Sequence, residues 1–159
     1  MKRRIIVCAA ALLVALGLAR EAVAADVAGY SGVNLKIRSG PSVRFPAVGV
    51  SGAGSELTIH GCLTGYTWCD VSASGVRGWA SGAHVQFVHE TRRVYVPAYA
   101  SHVEIPTVTF NLTSYWEDYY HDRDFYAELD HWSHSHWEDD TTPPGWRDNW
   151  DDHYDSNED

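Results

Sequence analysis

The sequence lacks the features that mark many enzymes and nucleic-acid-binding proteins. It contains no G-x-S-x-G, H-E-x-x-H or phosphate-binding glycine loop, which argues against the enzyme classes that carry those motifs. Positive charge is also scarce, because 12 Lys and Arg face 21 Asp and Glu, a formal net charge of -9. Such a chain is repelled by nucleic acid and anionic lipid. We therefore predict a protein that is not an enzyme, needs no cofactor and binds no nucleic acid.

Long apolar runs are missing as well, apart from one near the N-terminus that resembles a secretory signal peptide. The basic stretch MKRR precedes the uncharged residues 5–19, and the small residues Ala22, Val23 and Ala24 follow. This run is shorter than the roughly 20 apolar residues that a membrane-spanning helix needs. We expect residues 1–24 to be a signal peptide, cleaved after Ala24 or Ala25. The mature protein would then be periplasmic or secreted, without membrane insertion.

Cysteine is rare, with three in the chain, and Cys8 lies inside the predicted signal peptide. Cys62 and Cys69 remain, and could form a metal clamp, a redox pair or a disulfide. An even number of cysteines in an oxidising compartment favours the disulfide. If the two cysteines face each other across a hairpin, residues 64–67 form a four-residue turn.

The parity of the strand before Cys62 leaves the position of this disulfide open. Leu57 and Ile59 alternate in phase with each other, whereas Cys62 has the opposite parity. Either Gly61 marks a bulge that resets the alternation, or the disulfide lies on the outer surface of the sheet.

Charge and pattern divide the chain into two parts. In residues 26–90 the charges nearly balance, and short apolar alternations are separated by glycine-rich turns at intervals of about 8–12 residues. From Tyr115 onward, Arg123 and Arg147 face fifteen acidic residues. The first part predicts an all-β fold of five or six short strands, most simply a small barrel.

Three stretches of the first part, LKIRSGPSVRFPAVG, GCLTGYTWCDVS and GVRGWASGAHVQ, resemble the bacterial SH3-like domain family over about residues 29–88. The resemblance implies an SH3-like β-barrel of the kind found mostly in exported proteins and cell-wall enzymes. It also implies a non-catalytic module that binds peptidoglycan or envelope proteins.

Five residues of the predicted barrel are candidates for ligand binding. Tyr66, Trp68 and Trp79 could stack on a sugar or peptide, and Asp70 and Arg77 could anchor its polar groups. Core packing is the competing interpretation, strongest for Trp79 on the last main strand. Tyr66, at the tip of the cysteine hairpin, is the best candidate for recognition.

Residues 91–132 are predicted to form an extended segment and a short helix. Pro97 and Pro106 interrupt any central strand, which favours an extended segment lying along the barrel over residues 91–112. The S-x-x-E pattern from Ser114 to Glu117 is a capping box, and aromatic residues recur at helical spacing after it. These patterns predict a helix over about 114–131.

Residues 133–159 are acidic and poor in aliphatic residues, which predicts a disordered tail whose tryptophans dock on a partner. His131, His134 and His136 could converge on a divalent metal if the chain folds around it. The paired ligand spacings of structural zinc sites are absent, however, which favours weak binding or none.

These observations together predict an exported, non-catalytic binding module of the cell envelope. Its ligand would be peptidoglycan or a periplasmic protein. Two alternatives stay open: a periplasmic metal-binding protein that uses the tail rich in His and acidic residues, and a purely structural interaction protein.

Overall fold

The computed structural model describes residues 25–134, which form a mostly β structure with short helices. Eight strands build one curled antiparallel sheet in the order β3-β2-β6-β5-β4-β1-β7-β8. The predicted β class is confirmed, with more strands than the five or six expected. The predicted signal peptide and all but the first two residues of the predicted tail lie outside the described residues. The strands are β1 Val27–Ser31, β2 Leu35–Arg38, β3 Ala47–Ser51, β4 Glu56–Cys62, β5 Trp68–Ala73, β6 Val76–Ser81, β7 Val85–His89 and β8 Arg92–Tyr95.

Alternation along the strands builds the core beneath this sheet. Ile37, Ile59 and Val71 are fully buried, and Phe87 of β7 is 1% exposed. Their neighbours along the strands point to the opposite face, as the two-residue period of a strand requires. The outer face of β5 therefore carries Trp68, Asp70 and Ser72, and their β6 partners are Ser81, Trp79 and Arg77.

A bulge in β4 explains the parity of the cysteines. Ile59 pairs with Val71, but the next pair is Gly61 with Asp70, so His60 is the extra residue. This shift returns Cys62 to the core side, where it lies opposite Cys69 in a disulfide whose cysteines are both fully buried. The bulge interpretation is confirmed, and the outer-surface alternative is wrong. The N–H of Leu63 donates to the carbonyl of Trp68. Residues 64–67 between them form the expected four-residue turn.

The helices lie after the main body of the sheet. They are α1 Val96–Tyr99, α2 Leu112–Tyr119 and α3 Leu129–Ser133, with short 3-10 segments at Gly82–His84, Ala100–His102 and Asp124–Glu128. The single helix expected over 114–131 is wrong in its extent, since α2 ends at Tyr119. The predicted capping box is also wrong: Asn111 caps α2, and its side chain accepts a hydrogen bond from the N–H of Ser114 at 3.0 Å.

The chain beyond β8 packs against the sheet. The backbone near Thr107 runs parallel to the end of β4, where the N–H of Cys62 donates to the carbonyl of Pro106. The extended segment predicted over residues 91–112 is wrong in its extent, because residues 92–95 form β8 and residues 96–102 are helical; only the stretch near Thr107 lies extended along the sheet. Farther on, the indole N–H of Trp116 donates to the buried carbonyl of Ser39 at 2.8 Å. Trp132 stacks on Phe45 with ring centroids 4.8 Å apart. The buried aromatic side chains of residues 112–132 are Trp116, Tyr120, Phe125 and Trp132.

Candidate functional site

The candidate ligand residues divide between two pockets. Asp70, Arg77 and Trp79 line a pocket of about 350 Å³ between the β5–β6 face and α2, called here the seam pocket. Trp68 lines a second pocket of about 370 Å³, called here the Trp68 groove. Tyr66 is half-buried and packs against the core cluster at the hairpin. The five residues therefore do not form one continuous site.

Asp70 in the seam pocket is bound on both of its oxygens. The guanidinium of Arg77 lies 2.6 Å from Oδ2 and also contacts Oδ1, and the hydroxyl of Tyr115 donates to Oδ1 at 2.7 Å. Asp70 is only 5% exposed, so these contacts replace the water that its charge has lost. The pair lies diagonally across β5 and β6, where neighbouring side chains on one face can meet.

The electrostatics of the seam fix the protonation states of this cluster. Burial disfavours the charge on Arg77, but the hydrogen bond and the negative charge of Asp70 outweigh it and raise the pKa of Arg77 above its ordinary value. Burial raises the pKa of Tyr115 well above that of an exposed tyrosine. Tyr115 therefore keeps its proton and remains a donor to Asp70, and this cluster ties α2 to the sheet.

Two further contacts strengthen that connection. The hydroxyl of Tyr120 donates to the carbonyl of Arg77 at 2.6 Å, and the guanidinium of Arg77 lies 4.7 Å from the ring centre of Tyr119. The helical spacing of the aromatic residues, Tyr119 and Tyr120 among them, favours packing on the domain itself, but it did not identify Arg77 as their partner. The available signal was their spacing, which places Tyr115, Tyr119 and Trp116 on adjoining parts of one helix surface.

Trp79 lies on the outer face of the sheet but is only 1% exposed. Its ring packs edge-on against Phe110 at 5.4 Å and lies 5.9 Å from Tyr115, so the chain after the sheet covers it. Within residues 25–134 its indole N–H has no hydrogen-bond partner. Because Trp79 is buried, a ligand could contact it only at the edge where it lines the seam pocket.

The Trp68 groove is about as open as the seam pocket, but its tryptophan is more accessible than Trp79. Trp68 is half-buried, and Val43 at the groove's edge is 62% exposed. Lys36, Arg38 and His84 also line it, and none of its described lining residues is acidic. Arg38 is held in place because it donates to the carbonyl of Phe45 at 2.8 Å. The groove combines an aromatic surface with positive charge, which suits a ligand that carries carboxylates.

The histidines predicted as metal ligands lie only partly within the described structure. His131 contacts Glu128 at 2.8 Å and His134 contacts the carbonyl of Asp130 at 2.8 Å, whereas His136 is outside the described range. Residues 25–134 contain no group of three or more His, Cys, Asp or Glu side chains placed to hold a metal ion. The three-histidine set stays a prediction.

Within residues 25–134, no helix has the length and apolar character needed to cross a membrane.

Comparison with known proteins supports the resemblance noted in the sequence. Residues 33–86 match the family model of the bacterial SH3 domain. The match begins just before β2 and ends within β7, so it includes the Trp68 groove and the cysteine hairpin but not the helices. Searches of curated proteins and of solved structures found no match.

Proposed function

We propose that the bacterial SH3 domain of residues 33–86 makes this chain an exported binding module of the cell envelope that recognises peptidoglycan or a periplasmic protein. The observation that carries the proposal is the Trp68 groove, an open aromatic groove bordered by Lys36, Arg38 and His84. Peptidoglycan and extended peptides both offer apolar surfaces for stacking and carboxylates for the positive charges.

The charge distribution gives this groove selectivity. The acidic excess of the chain lies from Tyr115 onward, whereas the charges nearly balance over residues 26–90, the part that contains the groove. Lys36 and Arg38 add positive charge to the groove lining, which favours a ligand that carries carboxylates. Lys36 is only half-buried, so salt should weaken its share of this attraction, whereas Arg38 is buried and less screened.

The seam pocket is the less suitable of the two pockets. The carboxylate of Asp70 is already satisfied by Arg77 and Tyr115, and a ligand that took either partner would have to break a buried charge-assisted contact. Among the aromatic contacts described for residues 25–134, none joins Trp68 to the C-terminal helices. We therefore place the ligand against Trp68.

A sedimentation assay with purified, protein-free peptidoglycan tests the proposal. We expect the wild-type chain to co-sediment, and Trp68→Ala and Lys36→Ala to weaken retention. Tyr119→Ala is the matched control, since it removes a 39% exposed aromatic side chain from the seam pocket.

The outcomes separate the possibilities. Equal retention of Trp68→Ala and wild type would contradict the groove, and a selective loss in Tyr119→Ala would move the site to the seam pocket. If peptidoglycan retains nothing, the cell-wall form of the proposal fails. A periplasmic protein partner is then supported only if an identified protein binds wild type and not Trp68→Ala in a purified pair.

Export has a separate test. Expression of the full chain in a bacterium, followed by cell fractionation and mass spectrometry, should find the mature protein in the periplasm or medium. We expect its N-terminus to be Ala25 or Asp26 and no free thiol to react without reductant. Retention of residues 1–24 on the recovered protein would contradict cleavage.

A further inference from the structure

Three side chains from distant parts of the sequence form one hydrogen-bonded chain. Nδ1 of His60 lies 2.8 Å from Oδ1 of Asp26, and Nε2 of His60 lies 2.7 Å from Oγ of Ser72. The sequence analysis did not single out any of these residues. Asp26 is 34 positions from His60, and Ser72 is 12 positions from it, so only the pairing of the strands brings them together.

The sheet registers explain this arrangement. Val27 pairs with Ile59, which places Asp26 beside the next residue of β4. That residue, His60, is the extra residue of the β4 bulge, and Ser72 lies on the outer face of β5 across from Thr58. Bulges commonly redirect a side chain out of its regular position. Here the bulge points the imidazole between the carboxylate and the hydroxyl.

The hydrogen-bond chemistry fixes the direction of the protons. An ionised carboxylate can only accept, so Nδ1 of His60 must donate to Asp26. In the neutral imidazole, Nε2 is then the acceptor, and the hydroxyl of Ser72 donates to it. A serine whose proton points at a histidine base, which is itself oriented by a carboxylate, is the general arrangement of an activated hydroxyl nucleophile.

There is room for an acyl group beside Ser72. Ser72 is half-buried and lines a pocket of about 310 Å³, whose walls combine the small residues Ala28, Gly29 and Ala73 with the larger Tyr30, Glu56 and Leu57. The side chain of His60 is 16% exposed, which shields the base from most of the solvent. The volume of this pocket is sufficient for a small acyl group beside Ser72.

From this geometry we infer that Ser72 is a nucleophile that accepts acyl groups from activated esters, a reaction beyond the proposed binding function. Oγ of Ser72 forms a bond to the ester carbonyl carbon while its proton moves to Nε2 of His60. The bond from that carbon to the leaving oxygen then breaks, and the leaving alcohol takes the proton from His60. Water then attacks the acyl-serine while His60 takes its proton. His60 returns this proton to Oγ of Ser72, which releases the carboxylic acid and restores Ser72.

The solvent exposure of the Asp26 carboxylate indicates which class of acyl donor can react. Asp26 is 57% exposed, so solvent competes with it for the imidazole and orients His60 less firmly than a buried carboxylate would. Amides, whose leaving groups are poor, require a stronger catalytic arrangement than esters with good leaving groups. We therefore assign activated esters as the substrate class.

Labelling of the purified chain with a fluorophosphonate, followed by peptide mass spectrometry, tests the inference directly. We expect an adduct on Ser72. Ser101 is the internal control, because its Oγ lies 3.3 Å from a ring nitrogen of the neighbouring His102, a serine–histidine contact without this carboxylate relay. Absence of an adduct on Ser72, or equal labelling of both serines, would overturn the inference.

Variants then test the role of each partner, with p-nitrophenyl acetate as the acyl donor. His60→Gln keeps a polar side chain but removes the base, and we expect acylation to slow by about 100-fold. Asp26→Asn should cause a smaller loss, and Ser72→Ala should abolish the acyl adduct. Circular dichroism checks that each variant is folded.

Acylation of Ser72 in folded His60→Gln at the wild-type rate would refute the inference. Retention on peptidoglycan depends on Trp68, so the binding proposal and the reactive serine fail or succeed independently.

Discussion

Alkaline pH should destabilise the attachment of α2 to the sheet, because two tyrosines, the half-buried Tyr115 and the buried Tyr120, hold it there. The hydroxyl of Tyr115 donates to Asp70 at 2.7 Å, and that of Tyr120 donates to the carbonyl of Arg77 at 2.6 Å. Burial raises the pKa of both tyrosines above the ordinary value of about 10. In the unfolded chain they return to that ordinary value. Above about pH 10 the unfolded state therefore loses protons that the folded state retains.

The sign and size of the effect follow from linkage. Since the unfolded state binds fewer protons, the free energy of unfolding falls as the pH rises. Each tyrosine contributes a slope that approaches about 1.4 kcal/mol per pH unit above pH 10. At about pH 11 the two together lower the free energy of unfolding by about 2.8 kcal/mol. Well below pH 10 their contribution no longer depends on pH.

Urea unfolding followed by tryptophan fluorescence at about pH 8 and about pH 11 measures this loss. The double variant Tyr115→Phe/Tyr120→Phe should be less stable at the lower pH, because both hydrogen bonds are gone, but should lose much less on going to the higher pH. Tyr95→Phe, which changes a 42% exposed tyrosine, is the control and should behave like wild type. Equal losses in wild type and double variant would refute the reasoning.

Three further predictions concern stability. Reduction of the disulfide should lower the free energy of unfolding by about 2.5 kcal/mol, the chain-entropy value for a loop of about eight residues, and little change on adding reductant in urea unfolding would contradict it. Gly78→Ala should lower the free energy of unfolding by about 1–3 kcal/mol, because the added Cβ would lie 2.5 Å from the carbonyl oxygen of Arg38. Gly49→Ala is the control and should cost less, because its Cβ would meet its nearest atom at 3.4 Å. Calorimetric melting compares the two variants. Trp116→Phe removes the donor to the buried carbonyl of Ser39 and should cost about 1–3 kcal/mol; a melting temperature equal to wild type would argue against that bond.

Local pattern was sufficient to predict the sheet and the cysteine hairpin. Alternation placed Leu57 and Ile59 on the core side, and their mismatch with Cys62 left two interpretations, a bulge marked by Gly61 or a disulfide on the outer surface; the structure contains the bulge, with His60 as the extra residue. A strand has a fixed two-residue period, so one extra residue leaves a visible trace in the order of apolar positions. The family resemblance rested on the same local motifs.

The division of the candidate site could not be predicted in this way. Trp68, Asp70 and Trp79 share the outer face of β5 and β6. Strand periodicity therefore predicts the same exposure to a ligand for all three. What separates them is Tyr115, which comes 45 residues after Asp70 and covers one part of that face only. Strand periodicity says which face a residue occupies, but does not say which later segment packs on it.

Helix termini showed the same limit on a smaller scale. Asn111 is followed by Leu112 and Thr113, a triplet that matches a glycosylation acceptor, yet its side chain accepts the N–H of Ser114 and starts α2. Ser114 and Glu117 offered an equally regular capping pattern three residues later. Asn and Ser are both strong N-caps, so composition alone does not choose between adjacent starts.

The hydrogen bond between Trp116 and Ser39 also has a kinetic consequence. The two residues are 77 positions apart, so this contact closes a long loop that the strand hairpins do not need in order to pair. Contacts of this kind tend to form after the folding transition state, and their loss then appears in the unfolding rate. Removing the indole donor should therefore shorten the lifetime of the native state while the protein refolds at nearly its original speed.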